Sequence, residues 1–175
     1  NTNNGYADFA FKYLQVDAIT LSPYLGQEAL QPFLDHHDKG CIILCRTSNP
    51  GAGEFQDLLL GGQTSRHEGV GPLHHLWHLV AQNVATKWNT HGNCLLVVGA
   101  TYPEELKQIR RIVGDMTMLI PGIGAQGGEV EATVKAGLNS QNAGMIINSS
   151  RGIIFADNPH TEAQKLQTEI NLYRL

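Results

Sequence analysis

A chain of 175 residues is long enough for one domain, and 42% hydrophobic content with 19 glycines belongs to a packed protein rather than a disordered one. The formal charge of −4, with no dense Lys/Arg stripe, argues against nucleic acid as a partner, and no apolar run reaches the length of a membrane span. Three cysteines follow neither a metal spacing nor a disulfide framework, so they are expected as small apolar core residues of a reducing compartment; with no signal peptide visible, that compartment is the cytoplasm.

The first helical pattern covers roughly residues 4–14, with Tyr6, Phe9, Ala10 and Tyr13 on one face. An apolar run at residues 17–22 (DAITLS) follows, then a helix over about 27–36 that ends in the loop His36-His37-Asp38. Residues 41–46 (CIILCR) form the second strand, closed by Thr47-Ser48-Asn49-Pro50-Gly51. Two hydroxyls and an amide at a strand's C-terminal end can hydrogen-bond the polar edge of a planar heterocycle; the same residues also make an ordinary turn. Residues 61–71 (GGQTSRHEGVG) read as a long polar loop, either a lid or an insertion without fixed structure.

The next helix, about 72–88, carries Leu73, Trp77, Val80, Val84 and Trp88 at spacings of three and four, a core-facing stripe. His74, His75 and His78 flank it. No Glu stands between the outer pair as in H-E-x-x-H and no third ligand is evident, so they are expected as solvated histidines and no metal is expected. A third strand at 94–99 (CLLVVG) leads to a helix over 103–113 that begins Pro-Glu-Glu, a favourable first turn. Lys107, Arg110 and Arg111 are read as its solvated face. The strand at 118–123 (MLIPGI), a helix over 130–136 with Gly137 as its C-cap, the strand at 144–149 (GMIINS) and a last helix over 159–173 complete the order.

Near-continuous apolar strands alternating with helices mean an α/β protein with a parallel sheet and right-handed crossovers. Five strand–helix units fall three short of an eight-fold barrel of about 250 residues. The sheet is therefore open, or it is a barrel without its first three strands; in either case residues 1–175 are expected as a single domain.

The sharpest local pattern is Pro121-Gly122-Ile123-Gly124-Ala125-Gln126-Gly127-Gly128, after a strand and before a helix. It contains G-x-G-x-x-G, but the strand that should end in a ribose-binding carboxylate ends in Asn148, so a nicotinamide site fails and no cofactor is expected. What remains is a set of glycine amides able to approach an anion, a helix N-terminus behind them and the Gln126 amide; the alternative is a turn needed only for tight geometry. The next strand runs into Asn148-Ser149-Ser150-Arg151-Gly152, and arginine suits bidentate phosphate contact. If these are the last two strands of a barrel, Gln126, the Gly127 amide and Arg151 converge on one phosphate.

Taken together, residues 17–26 (DAITLSPYLG), 44–51 (LCRTSNPG), 97–106 (VVGATYPEEL), 119–128 (LIPGIGAQGG) and 146–156 (IINSSRGIIFA) resemble orotidine 5'-phosphate decarboxylase of the longer bacterial-type subgroup. The resemblance implies a (β/α)8 TIM barrel, here strands 4 to 8, in a homodimer with active sites at the interface. It implies cofactor-free decarboxylation of orotidine 5'-phosphate to UMP and CO2. Ser48 matches the serine that hydrogen-bonds the pyrimidine, and Pro121 the proline lining the base pocket. Gln126 matches the glutamine that reaches the phosphate from a closing loop. Arg151 matches the arginine that grips it, with the Gly152 amide beside it. Thr2 matches a threonine that contributes to the partner subunit's site.

The departure lies at the start. The family's catalytic Asp-x-Lys-x-x-Asp would fall immediately upstream of Asn1, and the 175 residues contain no Asp-x-Lys. The resemblance assigns to that lysine the protonation of the C6 carbanion, so no catalytic residue is expected in this chain and the chain alone is expected to be inactive. The opening on Asn1 rather than methionine fits a fragment. In some relatives an orotate phosphoribosyltransferase domain is fused to the decarboxylase, a further candidate partner. Two other readings stay open: another phosphate-binding barrel, such as a sugar-phosphate decarboxylase or epimerase, and a catalytically dead nucleotide-binding module.

Overall fold

The apolar runs become strands, with residues 18–21 parallel to 40–43 and residues 118–121 parallel to 145–148. The computed structural model describes residues 2–60, 74–123 and 129–174. The chain forms two units, Asn1–Leu96 and Val97–Leu175, and the α/β alternation read from the sequence holds in both. Among the described residues, no helix is long and apolar enough to cross a membrane.

In the first unit, α1 (Thr2–Ala7) winds on as a π-helical stretch over Asp8–Tyr13. Strand β1 (Ala18–Leu21), α2 (Gly26–Leu34) and β2 (Gly40–Arg46) follow, with β1 and β2 parallel and Ala18 opposite Gly40. Next come the short α3 (Gly53–Gln56), an antiparallel pair β3 (Leu59–Leu60) and β4 (His74–His75), and α4 (Leu76–Asn83), which passes into a π-helical turn at Val84–Trp88. Strand β5 (Cys94–Val98) begins in this unit, and the Cys41 amide donates to the Asn93 carbonyl at 2.9 Å where β5 starts beside β2. Phe33, Leu34, Ile43, Trp77, Val84 and Leu96 are buried in this unit's core.

The expected helix face at the N-terminus is corrected. Of Tyr6, Phe9, Ala10 and Tyr13 only Ala10 is buried, with Ala7 and Phe11; the three aromatics point outward and Phe9 stacks on Tyr13 at 5.4 Å. The buried stripe keeps the helical spacing of three and four but runs through Ala7, Ala10 and Phe11, one position along from the face expected. The loop expected over residues 61–71 lies outside the described residues.

A side-chain knot closes the N-terminal ends of β2 and β5. Buried Asn93 directs its Nδ2 to the carbonyls of Leu34, His36 and Lys39 at 3.1–3.2 Å. This serves the Leu34 carbonyl at the end of α2 and two carbonyls of the turn beyond it, of which that of His36 also accepts from the Lys39 amide.

The cysteines are free and buried, as expected. Burial pushes the thiols of Cys41 and Cys45 up to about 12, and that of Cys94 to about 11. Each folded-state value lies above the ordinary 9.0, so the fold favours the protonated thiols. Their contribution to stability is complete below pH 9 and is lost as pH rises from there through 11 and 12. At pH 8 a disulfide reagent should label none of the three in the native chain and all three in denaturant, and the unfolding midpoint should fall steeply above pH 9; rapid native labelling would contradict the burial.

The second unit contains α5 (Pro103–Val113), β6 (Met118–Pro121), α6 (Val130–Gly137), β7 (Met145–Asn148), α7 (Ser150–Ile154) and α8 (Pro159–Leu172). β6 and β7 are parallel, with Met118 opposite Met145 and Pro121 opposite Asn148, and the Ala100 amide donates to the Pro121 carbonyl at 2.9 Å. Leu106, Ile109, Met118, Ile120 and Val134 fill the core. The Asn158 side chain caps α8 by accepting from the Thr161 amide at 3.1 Å.

Two expectations fail here. Gly137 is the last residue of α6 rather than a cap beyond it, and its backbone is not left-handed. Close approach is what requires glycine: a Cβ there would collide with the Met145 sulfur and come within 3.2 Å of Ile120 Cδ1. Arg110 is buried, not part of a solvated face. Its guanidinium donates to the carbonyls of Gly114, Met116, Gly137 and Gly144 at 2.6–2.9 Å, closing the N-terminal ends of β6 and β7 as Asn93 closes those of β2 and β5.

Candidate substrate site

In the second unit the C-terminal ends of β6 and β7 are level, because Pro121 pairs with Asn148. Beyond them lies a cavity of about 110 Å³, lined by residues 121–123 from one strand end and 148–151 from the other. Gly122 turns the chain away from β6 at φ 100°, a conformation glycine adopts without strain. Ser149 Oγ donates to the Ile123 carbonyl at 3.2 Å and ties the two loops; Ser150 Oγ donates to Asn148 Oδ1 at 3.0 Å.

Arg151 lies in α7, exposed and lining the cavity. No carboxylate among the described residues pairs with it. Gly152 follows; a Cβ there would stand 3.0 Å from Ser149 Oγ, so the turn is tight. Pro121 and Arg151 therefore meet at one cavity, a concave site rimmed by a planar cation. Gln126 and Gly127 lie outside the described residues.

In the first unit Ser48 lies half-buried in the loop leaving β2, and Thr2 is exposed at the start of α1. The surroundings of Ser48 include residues that sequence reasoning passed over. Arg46, at 3% side-chain exposure, pairs with Asp57 at 3.2 Å. The Thr47 amide donates to Gln56 Oε1 at 2.9 Å, and Gln56 Nε2 donates to Thr47 Oγ1 at 2.8 Å. The one signal in the sequence was an arginine ending an otherwise apolar strand; nothing marked Gln56.

The histidines do pack. His75 Nδ1 lies 2.9 Å from the Asp57 carbonyl, and Trp77 stacks between His75 at 5.8 Å and His78 at 4.1 Å. Burial, then the neighbouring His74 and His75, hold His78 below the ordinary imidazole range. They are half-buried packing residues rather than solvated ones. Among the described residues no group of three or more His, Cys, Asp or Glu could hold a metal ion.

A family model described as orotidine 5'-phosphate decarboxylase / HUMPS family matches residues 1–166. An orotidine 5'-phosphate decarboxylase of Janthinobacterium sp. (strain Marseille) is 50% identical over 163 residues, 93% of this chain and 56% of that protein. A solved Leishmania donovani OMP decarboxylase superposes with a TM-score of 0.88 at 40% identity, covering 99% of this chain and 64% of its own. A Leishmania donovani UMP synthase gives a TM-score of 0.88 at 42% identity, covering 99% of this chain and 36% of its own. The chain thus spans less than two thirds of these relatives.

Proposed function

The chain belongs to the orotidine 5'-phosphate decarboxylase / HUMPS family, and from that premise we propose that it supplies the phosphate- and base-binding part of an enzyme converting orotidine 5'-phosphate to UMP and CO2. The observation that carries this reading is the convergence of Pro121 and Arg151 on one cavity at the level ends of β6 and β7. Arg151 would grip the phosphate beside the Gly152 amide, with Gln126 and Gly127 closing over it. Pro121 would line the base pocket and Ser48 would hydrogen-bond the pyrimidine.

In the reaction, the bond from C6 to the carboxylate breaks, CO2 leaves with the carboxylate carbon, and the electron pair stays on C6 until a proton replaces it. The proton donor in this reading is the lysine of the family's Asp-x-Lys-x-x-Asp segment, which the 175 residues do not contain. This chain's contribution is binding energy applied away from the reacting bond, which helps to close and order the site. Thr2 would reach a partner subunit's site in a homodimer, a reading supported by its exposure beside the outward Tyr6, Phe9 and Tyr13. Three free buried thiols support a cytoplasmic setting. An orotate phosphoribosyltransferase remains a candidate partner, by analogy with the UMP synthase relative.

Calorimetric titration of the 175-residue chain with UMP, uridine and ribose 5-phosphate tests the binding part. UMP should bind most tightly and uridine least. Absence of UMP binding by the folded chain would refute the proposal. Equal affinity for UMP and ribose 5-phosphate would favour a sugar-phosphate barrel instead. The chain alone should release no CO2, and joining it to a relative's Asp-x-Lys-x-x-Asp segment should restore turnover and a strong preference for 6-hydroxy-UMP over UMP.

A further inference from the structure

We infer that Gln56 is a positioning residue for base recognition, holding in place the loop that presents Ser48. Its side chain is the hub of the exit from β2. Gln56 Oε1 accepts from the Thr47 amide at 2.9 Å and from Arg46 Nη1 at 3.4 Å, while Nε2 donates to Thr47 Oγ1 at 2.8 Å. Thr47 Oγ1 in turn donates to Asn49 Oδ1 at 2.6 Å. The residues on both sides of Ser48 are therefore tied, directly or through one hydroxyl, to a single amide.

The hub is itself anchored. Arg46 is buried and pairs with Asp57, the residue after Gln56. The turn between is short, with the Ala52 amide donating to the Asn49 carbonyl at 3.0 Å. A buried guanidinium and a carboxylate thus fix the backbone on either side of the amide. An amide is the functional group that suits the place, because it must accept from a backbone N–H and donate to a hydroxyl at once. A loop held this way before ligand arrives pays no ordering entropy on binding, and the selectivity of its hydrogen bonds depends on being placed to within fractions of an ångström.

The inference rests on the reading of Ser48 as the pyrimidine contact, and a double-mutant cycle separates the two. UMP and ribose 5-phosphate affinities are measured for Gln56→Met, Gln56→Glu, Ser48→Ala and the Gln56→Met/Ser48→Ala pair in the complete enzyme, with thermal midpoints alongside. Gln56→Met keeps the length and removes the hydrogen bonds. It should weaken UMP about tenfold and leave ribose 5-phosphate unchanged. Gln56→Glu, which keeps the acceptor, should recover part of the loss, and Gln56→Met should add nothing once Ser48 is alanine.

Equal loss for both ligands, full additivity with Ser48→Ala, or no effect on UMP overturns the positioning role. If Ser48→Ala itself leaves the preference for UMP intact, the base-reading assignment fails and this inference with it. If Ser48→Ala abolishes the preference while Gln56→Met does not, only Gln56 is wrong. Should Gln56→Met not fold, Thr47→Val must produce the same selective loss by removing the hydroxyl link alone.

Discussion

Arg110→Ala is expected to destabilise the second unit by about 3–5 kcal/mol, the scale of removing one partner from a buried charged network. The side chain serves four backbone carbonyls: Nε and Nη2 donate to Gly137, Nη1 to Gly114 and Met116, and Nη2 also to Gly144. Alanine would leave these acceptors without that partner and open a void between the end of α6 and the turns before β6 and β7. Burial lowers the guanidinium's pKa, with Asp115 acting in the opposite sense, yet arginine keeps its charge at neutral pH and the carbonyl dipoles are what satisfy it. Lysine should recover little, since a single ammonium lacks the fork that reaches carbonyls on several sides. Urea unfolding checks this; a loss below about 1 kcal/mol would show that water replaces the side chain readily.

Arg151→Ala should act in the opposite place and in the opposite way. With the planar cation removed from the cavity rim, UMP affinity is expected to fall by about 2–4 kcal/mol, roughly 30- to 1000-fold, while the unfolding midpoint hardly moves. The side chain is exposed and has no carboxylate partner among the described residues, so the fold loses little with it. Uridine, which carries no phosphate, should bind the variant and the parent alike. Arg151→Lys should fall between, keeping charge but losing the bidentate fork. Unchanged UMP affinity in the alanine variant would remove Arg151 from the phosphate site.

Much of the fold was legible because local chemistry and burial agree. Residues 103–113 form a helix with the boundaries read, its start marked by Pro103 and the acidic first turn, and it buries Leu106, Ile109 and Val113. Strands β1, β2, β5, β6 and β7 lie where apolar runs stand between turn residues, whereas the two-residue β3 and β4 were not read. Where reading failed, a longer-range contact had overridden a local signal. Gly137 looks like a helix terminator until Met145 is seen against it. Arg110 occupies a polar position in a basic cluster, and only the convergence of three separate turns buries it. The π-helical stretches at residues 8–13 and 84–88 leave no mark in a pattern scanned at a 3.6-residue period, and near the N-terminus the buried face runs through Ala7, Ala10 and Phe11 rather than Tyr6, Phe9 and Tyr13.

The candidate site was legible in part, for a related reason. Arg151 announces itself as an arginine just beyond a strand end, Pro121 was singled out only through the family resemblance, and both line one cavity. Gln56 has no such signature. It lies ten positions beyond Arg46, and its value arises only when a short helical turn folds it back over the strand it follows.

The two side-chain knots sit at the N-terminal ends of the strands in their respective units, whereas Ser48, Pro121 and Arg151 stand at C-terminal ends. Lesions at the two kinds of position would accordingly carry different genetic signatures. Asn93 and Arg110 variants would lower the number of folded molecules in a cell, each survivor binding normally, so raised expression would compensate for them. Arg151 variants would accumulate to full abundance and stay defective however much were made.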